Sequence, residues 1–300
     1  MITFFSTPKP FRGHIGIIQR NAIQSWKLTH PDAEVILFGN EEGAAEVASG
    51  LGARHEPEVD RNSHGTPLLS SLFERAARLA RHNRLCFLNA DILLTDDFLA
   101  ASTRLSQLQE RSLMGGRRCD LGIKEPLDFS RPDWRESVRA LARERGKLRP
   151  PQWIDYFVFP RDLLRGQVPD FAVGRPGYDN WLLWKVRAMG VPVVDATEVV
   201  LAIHQNHDYS HHQGGENTFW NGAEAQQNYA LLGTHFATID NATHRLTANG
   251  LRPNYYHWVA LAKRKGLGVR NAAWFSLLDL TRPLRRRLRL RERHSPEPPR

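Results

Sequence analysis

Cysteine is nearly missing from this chain: two residues in 300, Cys86 and Cys119, with no ligand spacing around either. That excludes a disulfide-stapled scaffold and the paired-cysteine zinc modules. Cys86 lies in the apolar run Leu85-Cys86-Phe87-Leu88 and reads as a buried core thiol. Long apolar runs are missing too. Stretches such as Val191 to Ile203 are short and broken by Pro192, Asp195 and Glu198, so no membrane span is expected. The opening residues Met1-Ile2-Thr3-Phe4-Phe5 lack a basic region ahead of them. They read as a strand rather than a secretion signal, and a cytoplasmic location is the expectation. Three signatures of nucleotide and acyl chemistry are also absent. No Gly-x-x-x-x-Gly-Lys-Ser/Thr loop occurs, no Gly-x-Gly-x-x-Gly follows the first strand, and there is no Gly-x-Ser-x-Gly elbow. P-loop NTPases, dinucleotide oxidoreductases and serine hydrolases of the elbow type drop out accordingly.

What is present is a globular composition, 41% apolar and 24% charged, enough for a real core in one α/β domain with or without an appendage. The net charge of +9 is concentrated at one end. Arg282 to Arg300 holds eight arginines and two glutamates, a net of +6, which leaves +3 for the rest. With no zinc spacing, helix-turn-helix signature or aromatic-basic RNA motif, nucleic acid is not the expected partner. The tail admits two readings, an attachment to an anionic membrane face or a solvated disordered end. The expected organisation is one domain over residues 1–275 and a basic tail over 276–300.

Strand-like and helix-like segments alternate through the first hundred residues, the pattern of a mostly parallel sheet with covering helices. Strands are expected at Ile2 to Ser6, Glu34 to Phe38 and Leu85 to Leu88, and helices at Ile15 to Leu28, Glu41 to Gly50 and Pro67 to Arg81. Further on, helices are expected at Asp133 to Lys147, Tyr178 to Met189 and Glu216 to Leu232, and strands at Trp153 to Phe159 and Val191 to Asp195. A polar, His-rich loop is expected from Ile203 to Gly215. Thr7, Asn40 and Asp91 then fall at the C-terminal ends of three successive strands, the rim where open α/β sheets bind ligands.

Asn89-Ala90-Asp91 places a carboxylate just past a buried strand, where it needs a partner. A divalent cation bridging to a diphosphate is one such partner; capping of the helix that starts near Asp96 is the other reading. Asp179 stands at a helix start, where the helix dipole would keep it ionised. It reads either as a helix cap or, given the irregular Gly174-Arg175-Pro176-Gly177 loop before it, as a general base. Four histidines, His204, His207, His211 and His212, crowd the polar loop without the spacing of a structural zinc site.

The span Arg61 to Glu74, with Cys86-Phe87-Leu88-Asn89-Ala90-Asp91-Ile92-Leu93-Leu94 after it, resembles the segment that leads into the metal-binding Asp-X-Asp motif of GT-A-fold nucleotide-sugar glycosyltransferases. Gly177-Tyr178-Asp179-Asn180-Trp181-Leu182 is similar to their acidic acceptor-side motif. The resemblance covers roughly residues 1 to 215 and stops at the family. It implies a Rossmann-like GT-A domain with a helical C-terminal extension, Mn²⁺ or Mg²⁺, and a UDP- or GDP-sugar donor. It also implies a glycan or lipid-linked acceptor and metal ligation by Asp91 with His204 or His207. Thr7, Asn40, Arg61, Thr66 and Asn89 would contact the nucleotide, and Asp179 would be the base of an inverting transfer. Asn89 departs from the motif's usual first Asp, which bears on metal dependence. Two alternatives accompany this reading. A sugar-nucleotide pyrophosphorylase would need glycines that Ser6-Thr7-Pro8-Lys9-Pro10-Phe11-Arg12-Gly13 lacks, and a non-catalytic binding module has Asn89 as its hint.

Overall fold

The protein, a computed structural model, is described over residues 1–207 and 215–254. The expected boundary at 275, the basic segment Arg282 to Arg300, and His211 and His212 lie outside the described residues. Met1–Pro253 forms one compact unit.

β1 (Thr3–Ser6) is buried throughout, as are the last four residues of β2 (Glu34–Phe38) and of β4 (Arg84–Leu88). Between them run α1 (Gly13–Lys27), α2 (Ala44–Gly50), β3 (Arg54–Glu56) and α3 (Leu69–Leu79). β1 pairs in parallel with both β2 and β4, and β2 pairs in parallel with β3. Such near-continuous apolar strands suit a sheet covered on both faces. Adjacent side chains point to opposite sides, so Phe4 enters the core under α1 with Trp26, Val35 and Leu88. Phe5 enters the other core with Phe73, Phe87 and Phe159. There Phe73 stacks on Phe159 at 5.4 Å and Phe5 meets Phe73 edge-on at 5.2 Å.

The chain continues through β5 (Ile92–Leu93), α4 (Asp96–Leu108), β6 (Leu113–Gly115), β7 (Arg118–Leu121), α5 (Trp134–Arg145), β8 (Lys147–Leu148) and β9 (Tyr156–Pro160). After these come α6 (Tyr178–Ala188), β10 (Val193–Asp195), β11 (Ala202–Gln205), α7 (Gly215–Asn221), α8 (Ala223–Leu232), β12 (His244–Thr247) and β13 (Gly250–Pro253). The main sheet has the order β13-β12-β10-β6-β9-β4-β1-β2-β3. It is mostly parallel, with antiparallel pairing at β9 and at the β12–β13 hairpin. A second sheet, β5-β11-β7-β8, stands beside it. This is the α/β architecture with a mostly parallel central sheet that the alternation implies.

Several boundaries differ from expectation for local reasons. The third helix starts at Leu69 because Pro67 and Leu68 form bridges with Arg61 and Ala172. The strand expected from Trp153 starts at Tyr156. The helix expected over Glu216 to Leu232 is two helices, parted where Gly222 turns extended (φ −67°, ψ 169°). The loop expected to begin at Ile203 begins at Asn206, because β11 carries His204 and Gln205 in ladder with β7.

Candidate active site

A cleft of about 1490 Å³ opens along the C-terminal rim of β1 and β4. Thr7, Arg61, Thr66, Asn89, Asp91, Asp179, His204 and His207 all line it. Asn40 does not: it is exposed past the end of β2, while its neighbour Glu41 reaches the cleft. Arg61 donates to the Gly65 carbonyl at 2.7 Å and to Glu41 Oε1 at 3.0 Å, which holds its guanidinium across the strand ends. The Thr7 hydroxyl is buried with no hydrogen-bond partner among the described residues.

Asp91 is 9% exposed and His204 8%. His207 Nε2 lies 3.1 Å and His204 Nε2 3.9 Å from Asp91 Oδ2. One ligand atom from each of the three side chains falls within 4.8 Å of the others. β11 sets this grouping: His204 faces Ile92 on one side and Asp120 on the other. Its Nδ1 sits 3.3 Å from Asp120 Oδ1, the kind of outer contact that fixes an imidazole's orientation. Gln205 anchors the turn, donating to the Ile18 and Asp91 carbonyls at 2.8 and 3.1 Å. Burial pushes the Asp91 carboxyl up, but His204, His207 and Lys9 outweigh it and hold the group well below the usual carboxylate range. Its Oδ1 is buried and accepts no hydrogen bond among the described residues. A buried, ionised carboxylate with an open oxygen beside two imidazoles fits a divalent cation, and the mixed N/O donor set suits Mn²⁺ better than Mg²⁺, which prefers oxygen.

Asn89 is tied into a relay. Tyr178 Oη donates to Asn89 Oδ1 at 2.9 Å, and Asn89 Nδ2 donates to Asp155 Oδ1 at 2.8 Å. Asp155 Oδ2 in turn accepts from Arg118 Nη1 at 2.8 Å.

Asp179 occupies the first turn of α6, which Gly177 opens with φ +104°. A side chain at 177 would be strained there and would meet Leu232 at 3.3 Å. The expectation that the helix start keeps Asp179 ionised is corrected. Burial, then the neighbouring Asp155, raise its pKa to about 7 against the backbone N–H groups that favour the anion.

Lys9, Arg118, Asp120, Asp155 and Trp153 line the cleft and were not singled out from sequence. The alternation Arg118-Cys119-Asp120-Leu121, polar and apolar by turns, is the signal that marks β7 as a strand with one polar face. Asp155 interrupts an apolar run just before β9. Lys9 is placed by Gln19, which accepts from its backbone N–H at 2.6 Å and donates to its carbonyl at 2.9 Å.

No family model and no curated protein matches the chain. Among solved structures it is similar to M. tuberculosis glucosyl-3-phosphoglycerate synthase, at 16% identity and a TM-score of 0.47, over 79% of this chain and 80% of that one. The same enzyme in complex with Mn²⁺, UDP and glucosyl-3-phosphoglycerate gives 16% and 0.48 over 79% and 80%. S. aureus TarS (residues 1–349) gives 7% and 0.42 over 69% of this chain and 58% of that chain.

Proposed function

We propose that the chain is a metal-dependent glycosyltransferase that moves a sugar from a nucleoside-diphosphate sugar to a hydroxyl acceptor, with inversion. The observation that carries this is one cleft holding two opposite carboxylates. Asp91 is kept ionised with an open oxygen beside His204 and His207, and Asp179 has a pKa raised to about 7. Groups whose environments drive their pKa values apart divide the work of a reaction.

Asp91, His204 and His207 would hold the cation, which when bound offsets the charge on the leaving diphosphate. Thr7, Arg61 and Thr66 lie on the donor side, where a UDP or GDP moiety would rest. Asp179 accepts the proton of the acceptor hydroxyl as its oxygen attacks the anomeric carbon and the bond to the diphosphate breaks. A carboxylate titrating near neutrality is matched to that task. Asn89 is held by Tyr178 and Asp155 through one lone pair and one hydrogen of its amide, and the second of each is what it would turn to the nucleotide. Metal ligation on this reading rests on Asp91, His204 and His207 and needs no acid at position 89, and the non-catalytic module stays the alternative. The first loop contains no glycine before Gly13 and is pinned by Gln19, which disfavours the pyrophosphorylase. Residues 1–275 as catalytic domain, 276–300 as basic tail, and a glycan or lipid-linked acceptor remain parts of this reading.

Thermal shift with UDP, GDP and their sugars, with and without Mn²⁺, tests it. A native-state ligand raises the melting temperature by mass action. The expected result is a metal-dependent rise with one nucleotide, lost in Asp91→Ala. No rise with any nucleotide on folded protein overturns the reading.

A further inference from the structure

One face of the small sheet carries a row of charged side chains that begins at the candidate cation ligands and ends in the open. His204 on β11 stands opposite Asp120 on β7, and Asp120 stands opposite Lys147 on β8. Arg118, two residues before Asp120, shares its face, as Arg149 shares that of Lys147. The opposite face is apolar, with Leu121 and Ile203 packed against Trp134 and Val138 of α5. The row therefore faces the cleft, and Arg118, Asp120, Lys147 and Arg149 all line it.

The positive charges in this row are not all neutralised. Asp155 is matched to Arg118 at 2.8 Å. Asp120 is shared among Arg118 at 2.9 Å, Arg149 at 3.4 Å and His204 at 3.3 Å. Lys147 is exposed and has no ion pair among the described residues. Arg149 Nε is buried and makes no hydrogen bond among the described residues, its contact with Asp120 being the ion pair at 3.4 Å. Trp153 fixes the guanidinium groups of Arg118 and Arg149, each 4.6 Å from its ring centroid, and with two carboxylates facing two arginines the charge of Lys147 is the one in excess. Trp220, edge-on to Trp153 at 5.8 Å, continues the wall with apolar surface.

An arginine preorganised on an aromatic ring and an unpaired lysine on the same face form a receptor for an oxyanion attached to a carbon skeleton. We infer that the acceptor is anionic, a phosphate- or carboxylate-bearing saccharide or small acid whose charge is received by Lys147 and Arg149. This rests on the transferase reading above and adds the acceptor's chemical class. Along the β11-β7-β8 ladder, Lys147 sits beyond Asp120 from the cation ligand His204. Placing the acceptor's charge there leaves its hydroxyl free to approach Asp179, which neighbours Asp155 in the same wall.

Isothermal titration decides it. The full chain is first saturated with the nucleoside diphosphate and Mn²⁺, so that the donor site is filled and cannot take up the probe. Glucose 6-phosphate, glucuronate, sulfate and neutral glucose are then titrated in turn, and phosphate against carboxylate separates the two sources of charge. The expected result is binding of at least one anion and none of glucose. The affinity should fall about tenfold or more in Lys147→Ala and in Arg149→Ala, roughly the loss of one charge-assisted hydrogen bond. Lys147→Arg should restore it, and unliganded melting temperatures show that the variants fold. Glucose binding as well as the anions, anion binding that survives both substitutions, or no anion binding at all overturns the inference. Failure of the nucleoside diphosphate itself to bind overturns the transferase reading instead. The same anion titrations on the free protein then decide the basic wall separately.

Discussion

Asp179 is a group whose placement costs stability and, on the proposed reading, serves chemistry. Its pKa is about 7 in the fold against 3.8 for an unperturbed aspartate, so between those two pH values the folded protein holds a proton the unfolded chain has lost. Stability therefore falls as pH rises from about 4 to about 7 and is flat above. In Asp179→Asn the slope is removed. The variant should melt progressively higher than wild type across that window, by roughly 1–2 kcal/mol at pH 8 after discounting for partial exposure. That corresponds to about 2–8 °C by calorimetry. If Asp179 is the proposed base, the same variant should lose transfer by roughly a hundredfold or more, and wild-type turnover should rise with pH through about 7. A variant that is destabilised at pH 8 sinks the account. Asn89 gives a second test of the same wall. Asn89→Asp sets a carboxylate where the amide donates to Asp155 at 2.8 Å, and should cost about 1–3 kcal/mol of stability. Asp155→Asn should recover part of that loss in a double-mutant cycle. Asp91 and Asp179 could be singled out from sequence because each follows a recognisable strand end or helix start. Asp155 and Asp120 could not, because each acquires its role only from partners 37 and 84 residues away, Arg118 and His204.

The join between α5 and β8 decides where Lys147 points. Gly146 ends the helix, and a Cβ there would lie 2.3 Å from the Ala142 carbonyl oxygen and 2.6 Å from Cys119 Sγ. Gly146→Ala must push β8 off β7, with an expected cost of about 2 kcal/mol, readable by denaturant titration. Because Lys147 follows directly, the anion titrations described above should weaken in the same variant. An unchanged midpoint would mean that the helix end adjusts freely. Elements of this size explain what the sequence hid. β1, β2, β4 and α1 show their periods over four to fifteen residues and could be placed to within two residues. β6 and β8 have three and two residues, and no period can be read over such lengths, while β7 shows only a single polar-apolar alternation over four. β11 was hidden differently: its apolar start reads as a strand, but His204 and Gln205 look like loop residues until β7 supplies their ladder partners.

For the molecule as a whole, the buried Asp91 links metal binding to folding. Its depressed pKa gives stability that is present above the unfolded value of 3.8 and lost only as pH falls below it, so it stays ionised across the range where Asp179 titrates. The folded state thus offers a charged carboxylate with an open oxygen and two imidazoles already within 4.8 Å, whereas the unfolded chain separates Asp91 from His204 by more than a hundred residues. A cation that binds only the assembled set must stabilise the fold by mass action. At a hundredfold excess over Kd the gain is about 2.7 kcal/mol. For a domain of this size that is roughly 5–11 °C in melting temperature. Chelator-treated protein given Mn²⁺ should show that rise without any nucleotide. Mg²⁺ at the same concentration should give less, since two of the three donors are nitrogens. Asp91→Ala should show none, and an equal rise with Mn²⁺ in Asp91→Ala would place the cation elsewhere in the chain.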